Sequence, residues 1–156
     1  VGVPEGAKAV TNFNSEKYLG KWYEIARFDF RFEKDMDQVT ATYSKKDNGN
    51  IKVDNRGYNY KKNKWSESIG EAKFVKSPDI AELKVSFFKP FWGSYNVIDI
   101  DEDYKYALVV GQNKDYMWIL SRETTIPESY KQRFLDKAKA LGFETEKLIW
   151  VNQTKK

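Results

Sequence analysis

The pattern of apolar and polar positions between residues 22 and 121 predicts a succession of β-strands. Val39 to Lys45 alternates between apolar and polar residues, and Leu83 to Phe87 does the same farther along. Turn-forming residues separate such runs at short intervals, as in Asp47-Asn48-Gly49-Asn50. Eight strands follow one another in this way with no helix between them, and a meander of eight strands can close on itself. We therefore predict an all-β fold, an eight-stranded antiparallel up-and-down β-barrel.

The first strand, Trp22 to Phe30, departs from this clean alternation. Both of its faces are half apolar, so the pattern does not decide which face points inward, and a β-bulge would account for it. The charged segment from Phe30 to Gln38 follows. We expect that segment to overhang an open end of the barrel.

One helix is predicted, over residues 126–141, packed against the outside of the barrel. Its apolar stripe recurs at helical spacing and consists of Tyr130, Phe134, Ala138 and Leu141. Thr125 and Glu128 have the spacing of a capping box, and Gly142 is a natural stop. A short final strand at 147–151 should pair beside the first strand.

Residues 1–156 are expected to form a single domain, in which residues 1–14 are an irregular lead-in packed over one end. Hydrophobic residues make up 40% and aromatic residues 16% of the chain, a balance that suits thin sheets with one wet face. The net charge of +4 comes from scattered lysines, which indicates a solvated surface rather than a nucleic-acid footprint. The chain starts without the pattern of a signal peptide, and no stretch approaches the ~18 apolar residues of a membrane span.

The absence of two residue types narrows the function. Without cysteine or histidine, the chain has no disulfide, no thiol nucleophile, no thiolate metal site and no general base of the usual kind near neutral pH. We expect no metal, no cofactor and no catalytic residues. The acids at Asp35, Asp37, Asp99, Asp101 and Asp103 are interpreted as solvated turn residues rather than an acid–base pair.

The inward positions of the strands form a mostly apolar candidate ligand-binding wall. Its predicted members are Phe28, Val39, Ala41, Tyr43, Val53, Asn55, Gly70, Ala72, Phe74, Val85, Phe87, Tyr95, Val97, Ala107, Val109, Tyr116 and Trp118. Periodicity alone leaves a filled core and a hollow barrel about equally open. The small residues at Ala41, Gly70, Ala72 and Ala107 favour a hollow.

Polar groups on this wall would select the ligand's headgroup. Tyr43, Asn55, Tyr95 and Tyr116 are candidates, as are Arg27 and Arg31 near the loop end of the first strand, for contact with a carboxylate or phosphate. The alternative, which we favour for the arginines, is that they are rim charges in water.

The turn from Phe88 to Gly93 is unusually apolar. Its aromatics Phe88, Phe91 and Trp92, beside Lys89, suit a membrane surface or a dimer interface. Alternatively they fold back over the barrel, and the sequence does not separate these possibilities.

Three stretches in this order resemble the signature regions of the lipocalin family. They are Tyr18 to Ile25, which contains the Gly-x-Trp of Gly20 and Trp22, then Asp101 to Val109, and Tyr116 to Arg122. The amino-acid sequences of the segments Trp22 to Phe32 and Trp118 to Arg122 are similar to those of the bacterial lipocalins, relatives of apolipoprotein D. The resemblance runs from about Asn12 to Val151.

This resemblance implies a barrel that is open at one end and binds a hydrophobic small molecule, a fatty acid or lysophospholipid, for transport or storage, without enzymatic activity. It also implies that Arg122 packs across Trp22 in a structural role. The bacterial group implies an outer-membrane lipoprotein that faces the periplasm, with a homodimer among its expected states. Those proteins begin with a lipidated cysteine, and because this chain has none we expect it to be soluble as it stands. The alternative function is an interaction protein with a filled barrel that acts through the Phe88–Trp92 surface or a dimer interface.

Overall fold

The computed structural model describes residues 2–154 of the protein, and within them it contains nine β-strands and two α-helices. The strands are β1 (Gly20–Phe28), β2 (Met36–Lys45), β3 (Ile51–Asn59), β4 (Lys64–Phe74), β5 (Glu82–Phe88), β6 (Phe91–Ile100), β7 (Tyr106–Val110), β8 (Met117–Ser121) and β9 (Leu148–Trp150). The helices are α1 (Ser15–Tyr18) and α2 (Glu128–Ala140), with 3-10 turns at Arg31–Glu33 and Thr145–Lys147.

The first eight strands close into a barrel. Each strand from β2 to β8 pairs antiparallel with the next, β8 pairs with β1, and β1 pairs back onto β2. Tyr23 lies opposite both Ser121 and Thr40, so the ladder is continuous around the ring. This confirms the predicted antiparallel up-and-down barrel. β9 lies outside the ring and pairs with the end of β1, where Phe28 faces Leu148.

Two strands begin earlier than the alternation indicated. β2 starts at Met36 instead of Val39, because a bulge between Asp37 and Thr40 lets the ladder continue through Gln38, whose φ is 54°. β6 starts at Phe91, so the apolar turn is reduced to Lys89 and Pro90. In both places the alternation of apolar and polar residues is interrupted, although the backbone hydrogen bonds of the strand continue.

The protein has two apolar cores, one on each side of the barrel wall. Trp22, Val97, Ala107 and Val109 are fully buried in the inner one. The outer core lies beneath α2, whose predicted stripe of Tyr130, Phe134, Ala138 and Leu141 packs there on the outward side chains of β6, β7 and β8. Burial of Phe134 alone contributes roughly 2–3 kcal/mol, so the helix is held by this face.

The start of α2 differs from the predicted capping box. Pro127 occupies the N-cap position and no side chain caps the helix, while the carbonyl of Thr125 accepts a hydrogen bond from Ser121 Oγ at 2.8 Å. That bond keeps Thr125 in the preceding turn, which is why its hydroxyl does not serve as the cap. Gly142, with φ of 93°, ends the helix as predicted.

The N-terminal segment closes one end of the barrel. The Val10 N–H donates to the Val97 carbonyl at 2.9 Å, and the Phe13 N–H donates to the Asp79 carbonyl at the same distance. Phe13 and Tyr18 are buried against the inner core. We call this the closed end. Because successive strands are antiparallel, the connections after β1, β3, β5 and β7 all lie at the opposite, open end.

Candidate functional site

At the closed end, the guanidinium of Arg122 lies over the indole of Trp22, 3.8 Å from its centroid. Arg122 also donates to the carbonyls of Lys17 at 2.8 Å and Lys21 at 3.0 Å. Gly20 has a φ of 102°, and a Cβ there would lie 3.3 Å from Arg122 Nη1. The three signature residues therefore hold the chain together at the closed end, where the Trp22 ring forms part of the filled inner core.

Most of the predicted wall residues meet inside the barrel. Eleven of the seventeen lie in the inner core or pack against it: Ala41, Tyr43, Val53, Ala72, Phe74, Val85, Tyr95, Val97, Ala107, Val109 and Trp118. Val39 is buried beside Gly57, with its Cγ2 3.2 Å from where a Cβ on that glycine would be. Asn55 lies opposite Ala41 and is half-buried, while Tyr116 stacks on Trp118 with ring centroids 6.3 Å apart.

Phe28 was assigned to the wrong face. It packs in the outer core, where its ring stacks on Phe143 at 6.4 Å. The cause is a bulge in β1 between Glu24 and Ala26, which turns two consecutive residues outward and inverts the alternation beyond it. The bulge that the sequence suggested is present, and it places Arg27 rather than Phe28 inside.

Gly70 makes room for a ring rather than for an empty space. It lies opposite the inward Val53, and a Cβ on it would come within 2.7 Å of the Phe87 ring. Phe87 therefore covers this part of the wall, with 37% of its surface exposed near the open end. Both residues line the interior, but the volume saved by the glycine is already occupied.

A buried charged cluster inside the barrel was missed by the sequence reasoning. Arg27 Nη1 lies 3.0 Å from Glu24 Oε2, and only 2% of the Arg27 side chain is exposed. Arg27 also donates to the Glu33 carbonyl at 2.7 Å and to the Asp29 carboxylate at 3.2 Å. The interpretation of Arg27 as a rim charge in water is therefore wrong, whereas Arg31 is exposed. The available signal was an acid and an arginine three residues apart on either side of a bulge.

The same cluster ties the β1–β2 connection to the barrel wall. The Glu24 and Glu33 carboxyl groups are hydrogen-bonded to each other, and the Trp118 indole donates to Glu33 Oε1 at 3.2 Å. Burial raises the pKa of Glu24 and that of Glu33. Phe30 packs edge-on against Trp118 at 5.7 Å above this group.

Three tyrosine hydroxyls meet in the middle of the barrel. Tyr95 is hydrogen-bonded to Tyr18 at 2.5 Å and to Tyr43 at 2.8 Å. Burial raises the pKa of each, so all three remain neutral at physiological pH. Between these tyrosines and Phe13 the space shrinks to a void of about 10 Å³, room for no more than one water molecule. The closed half of the barrel is therefore filled.

Several inward residues on the open side of the tyrosine cluster are partly exposed. Ala41, Asn55, Gly70 and Trp118 are half-buried there, and Val85 and Tyr95, which border the small void, are half-buried as well. Ser68, opposite Asn55, is exposed. This part of the inner wall is therefore partly accessible to solvent.

Other clefts and acids offer no comparable site. A surface cleft of about 540 Å³ at the closed end is lined by charged side chains, including Lys17, Asp103 and Glu123, so it does not suit an apolar ligand. Asp99 binds Arg133 of α2 at 2.6 Å, and so is a structural ion-pair partner rather than a solvated turn residue. Asp101 accepts the N–H groups of Lys105 and Tyr106, both at 2.7 Å. Across residues 2–154 no cluster of three or more acids has the arrangement of a metal site.

The fold and the open, apolar half-barrel define a lipocalin. Residues 13–153 match the model of the lipocalin-like domain, and the chain belongs to this family, whose members bind small hydrophobic ligands. The chain is 54% identical over 150 residues to the outer membrane lipoprotein Blc of Citrobacter freundii, covering 96% of this chain and 85% of the relative. It is 32% identical over 154 residues to apolipoprotein D of Mus musculus, covering 91% and 78% of the two chains.

A solved structure supports the same fold. Insecticyanin from the tobacco hornworm Manduca sexta superposes with a TM-score of 0.76 at 17% identity, over 97% of this chain and 86% of that one. None of the helices in residues 2–154 has the length and apolar character needed to cross a membrane.

Proposed function

We propose that this lipocalin reversibly binds a fatty acid or lysophospholipid in the open half of its barrel, for transport or storage, and catalyses no reaction. The observation that carries the proposal is the partial exposure of inward residues in the open half, such as Ala41, Asn55 and Trp118. Each methylene that leaves water for such a wall contributes roughly 0.8 kcal/mol. A medium acyl chain is then sufficient for ~micromolar affinity after the cost of association.

The tyrosine cluster sets how deep the acyl chain goes. Tyr18, Tyr43 and Tyr95 satisfy one another's hydroxyls, and the space behind them is filled. The chain end would stop at these rings. The polar headgroup would remain toward the open end, near the Asn55 and Ser68 side chains.

Arg27 is a poor candidate for the headgroup. It is already engaged by Glu24, by Asp29 and by two backbone carbonyls, so a ligand carboxylate would have to displace an existing partner. A headgroup held at the rim by water and exposed cations is consistent with either a carboxylate or a phosphate. The choice between fatty acid and lysophospholipid is therefore expected to depend on space at the rim.

The relatives add a proposal about location. Because the Citrobacter protein is an outer membrane lipoprotein, we infer that the native protein works at the outer membrane, facing the periplasm, in association with lipid. A homodimer is part of the same proposal. It would be measured by sedimentation equilibrium of the purified chain.

The test uses two neighbouring positions on β4. Ser68 faces the open half, whereas Glu67 lies opposite Arg56 on the outside. Ser68→Trp should fill the space and weaken calorimetric binding of a medium-chain fatty acid at least tenfold. Glu67→Trp adds the same side chain outside and should leave the dissociation constant unchanged.

A second candidate function follows from the exposed rings of Phe88 and Phe91. In it the barrel is occupied by its own side chains and a partner protein binds the Phe88–Trp92 surface. It is favoured if neither lipid class produces a binding signal with the unmodified chain. Equal loss of binding in Ser68→Trp and Glu67→Trp would likewise contradict ligand capture inside the barrel.

A further inference from the structure

Two connections at the open end carry phenylalanines that the fold leaves in solvent. Phe32, in the β1–β2 connection, is 69% exposed, and Phe88 and Phe91, on either side of the β5–β6 turn, are 71% and 76% exposed. Tyr60 in the β3–β4 connection is 50% exposed. A group of exposed apolar rings at one end of a protein is typical of an interaction surface, whereas single exposed rings are common.

The hairpin itself presents Phe88 and Phe91 together. They are directly opposite one another across the Lys89-Pro90 turn, so both rings project from the same face of the ribbon. Trp92, by contrast, is half-buried against the barrel wall beneath Lys73 and Lys84, whose amines lie 4.8 and 5.0 Å from its ring. Only Trp92 thus follows the expectation that these aromatics fold back.

Cations surround the exposed rings. The open-end connections carry Arg31, Lys34, Lys61, Lys62 and Lys114, and also Lys89, whose amine is paired with Glu71. Two of the acids in the same segments contact the buried Arg27. The Asp29 carboxylate and the Glu33 backbone carbonyl each accept a hydrogen bond from it. The remaining acids are Asp35 and Asp115, so the rim has a positive excess.

We propose that the open end docks on an anionic lipid bilayer, with Phe32, Phe88 and Phe91 in the interface and the surrounding lysines against the headgroups. Aromatic rings flanked by basic side chains are the pattern of interfacial membrane anchors. A second copy of the chain is less well matched, because a two-fold interface would bring two rims of net positive charge together. The proposal rests on the ligand-binding function, since it lets an acyl chain pass between bilayer and barrel without crossing bulk water.

The first test measures partition of the chain onto vesicles of phosphatidylcholine with and without phosphatidylglycerol. Binding should require the anionic lipid and fall with added salt. The pair Phe88→Ser and Phe91→Ser should weaken partition about tenfold or more. Lys61→Glu with Lys62→Glu should also weaken it at least tenfold, because basic side chains near the surface are attracted to the anionic lipid.

Matched controls lie elsewhere on the molecule. Trp150 is a large exposed aromatic on β9, and Trp150→Ser tests the effect of removing an exposed ring elsewhere on the surface. Lys45 and Lys105, exposed at the closed end, test the effect of net charge as a double change to Glu. Trp150→Ser should alter partition by less than twofold. The Lys45, Lys105 double change alters net charge as much as the Lys61, Lys62 double change does, so any loss of partition that it causes measures the effect of net charge alone. The Lys61, Lys62 variant should lose at least twofold more.

Orientation is testable because the chain has no cysteine of its own. A polarity-sensitive dye on Asp115→Cys, at the open end, should shift to the blue on vesicle binding. The same dye on Asp47→Cys, in the closed-end turn, should not. Equal shifts at both sites, or partition unaffected by the phenylalanine pair, would overturn the docking proposal.

Two further outcomes separate the proposals. Fatty-acid binding in vesicle-free buffer should be unchanged in the Phe88→Ser, Phe91→Ser variant, so loss of docking with intact binding would leave the ligand function standing. A chain that is dimeric alone and becomes monomeric in that variant, with vesicle partition unaltered, would assign the surface to a second copy and contradict bilayer docking.

Discussion

The Trp118 indole donates a hydrogen bond to Glu33 at 3.2 Å, and this bond joins the β1–β2 connection to the inner wall of the barrel. Glu33 is also bonded to Glu24, which is paired with Arg27. The connection that overhangs the open end is therefore held by a buried polar group rather than by apolar contacts alone.

The raised pKa of Glu33 predicts how stability depends on pH. Burial raises the pKa of Glu33 above its unfolded value of about 4.3, so the folded state holds its proton to higher pH than the unfolded state does. The stabilisation is fully present below the unfolded pKa and is lost as pH rises through the folded pKa. Glu33→Gln should therefore flatten the decline of the urea unfolding free energy above that pH. Glu67→Gln, at an outward-facing exposed position, should leave the decline unchanged. Identical pH profiles for the unmodified chain and both variants would contradict the assignment of the decline to Glu33.

Arg27 and Arg31 should respond very differently to loss of charge. Arg27→Met leaves Glu24 buried without its cation and should cost ~3–5 kcal/mol of unfolding free energy. Arg31→Met, at an exposed site, should cost less than about 0.5 kcal/mol. Denaturant titration of the two variants measures the difference, and similar small losses would mean that the buried pair is not formed in solution.

Gly70 should tolerate no larger residue while Phe87 is present. Gly70→Ala places a methyl group within 2.7 Å of the Phe87 ring and of the Ser86 carbonyl, at a cost of ~1–3 kcal/mol. Adding Phe87→Ala removes the ring but not the carbonyl, so the double variant should recover part of the coupling in a double-mutant cycle. Strict additivity of the two changes would show that the ring does not lie over the glycine.

The ion pair between Lys89 and Glu71, on the outer face of the barrel, is expected to break at low pH. The Lys89 amine 2.7 Å away, with help from Asn50 and Lys46, lowers the pKa of Glu71 to about 2. Its contribution is present above the unfolded pKa of about 4.3 and is lost as pH falls to about 2. Carbon-detected NMR titration should give that low value and a higher one in Lys89→Met, whereas Lys45→Met, which lacks contact with Glu71, should leave it unchanged. An unperturbed carboxylate would contradict the ion pair.

The barrel was predictable because alternation with period two and short turns specify a meander, and eight strands close without exposed edges. The inward assignments succeeded wherever alternation was unbroken, as at Ala41, Val53 and Val85. They failed at Phe28, because one extra residue at the β1 bulge inverts every later side chain in the strand.

The spacing of Glu24 and Arg27 could have indicated their pairing, but the addition of Glu33 to this cluster could not be predicted from the sequence. It depends on a 3-10 turn that folds residues 31–33 back over the barrel, and no periodic signal encodes that path. The contact between Gly70 and Phe87 depends on register between β4 and β5, which a glycine in a polar strand does not reveal. Long-range contacts of this kind determine whether the room that a small residue leaves in the barrel interior stays empty or is filled by another side chain.

The central claim is that an acyl chain lies in the open half of the barrel, and isotope-filtered NMR tests it most directly. With labelled protein and unlabelled fatty acid, nuclear Overhauser effects from the acyl methylenes should reach the Ala41 and Val85 methyl groups and the Trp118 indole. They should be absent at Ala107, within the filled half. Effects confined to Phe88 and Phe91 would place the lipid on the outer surface and contradict capture inside the barrel.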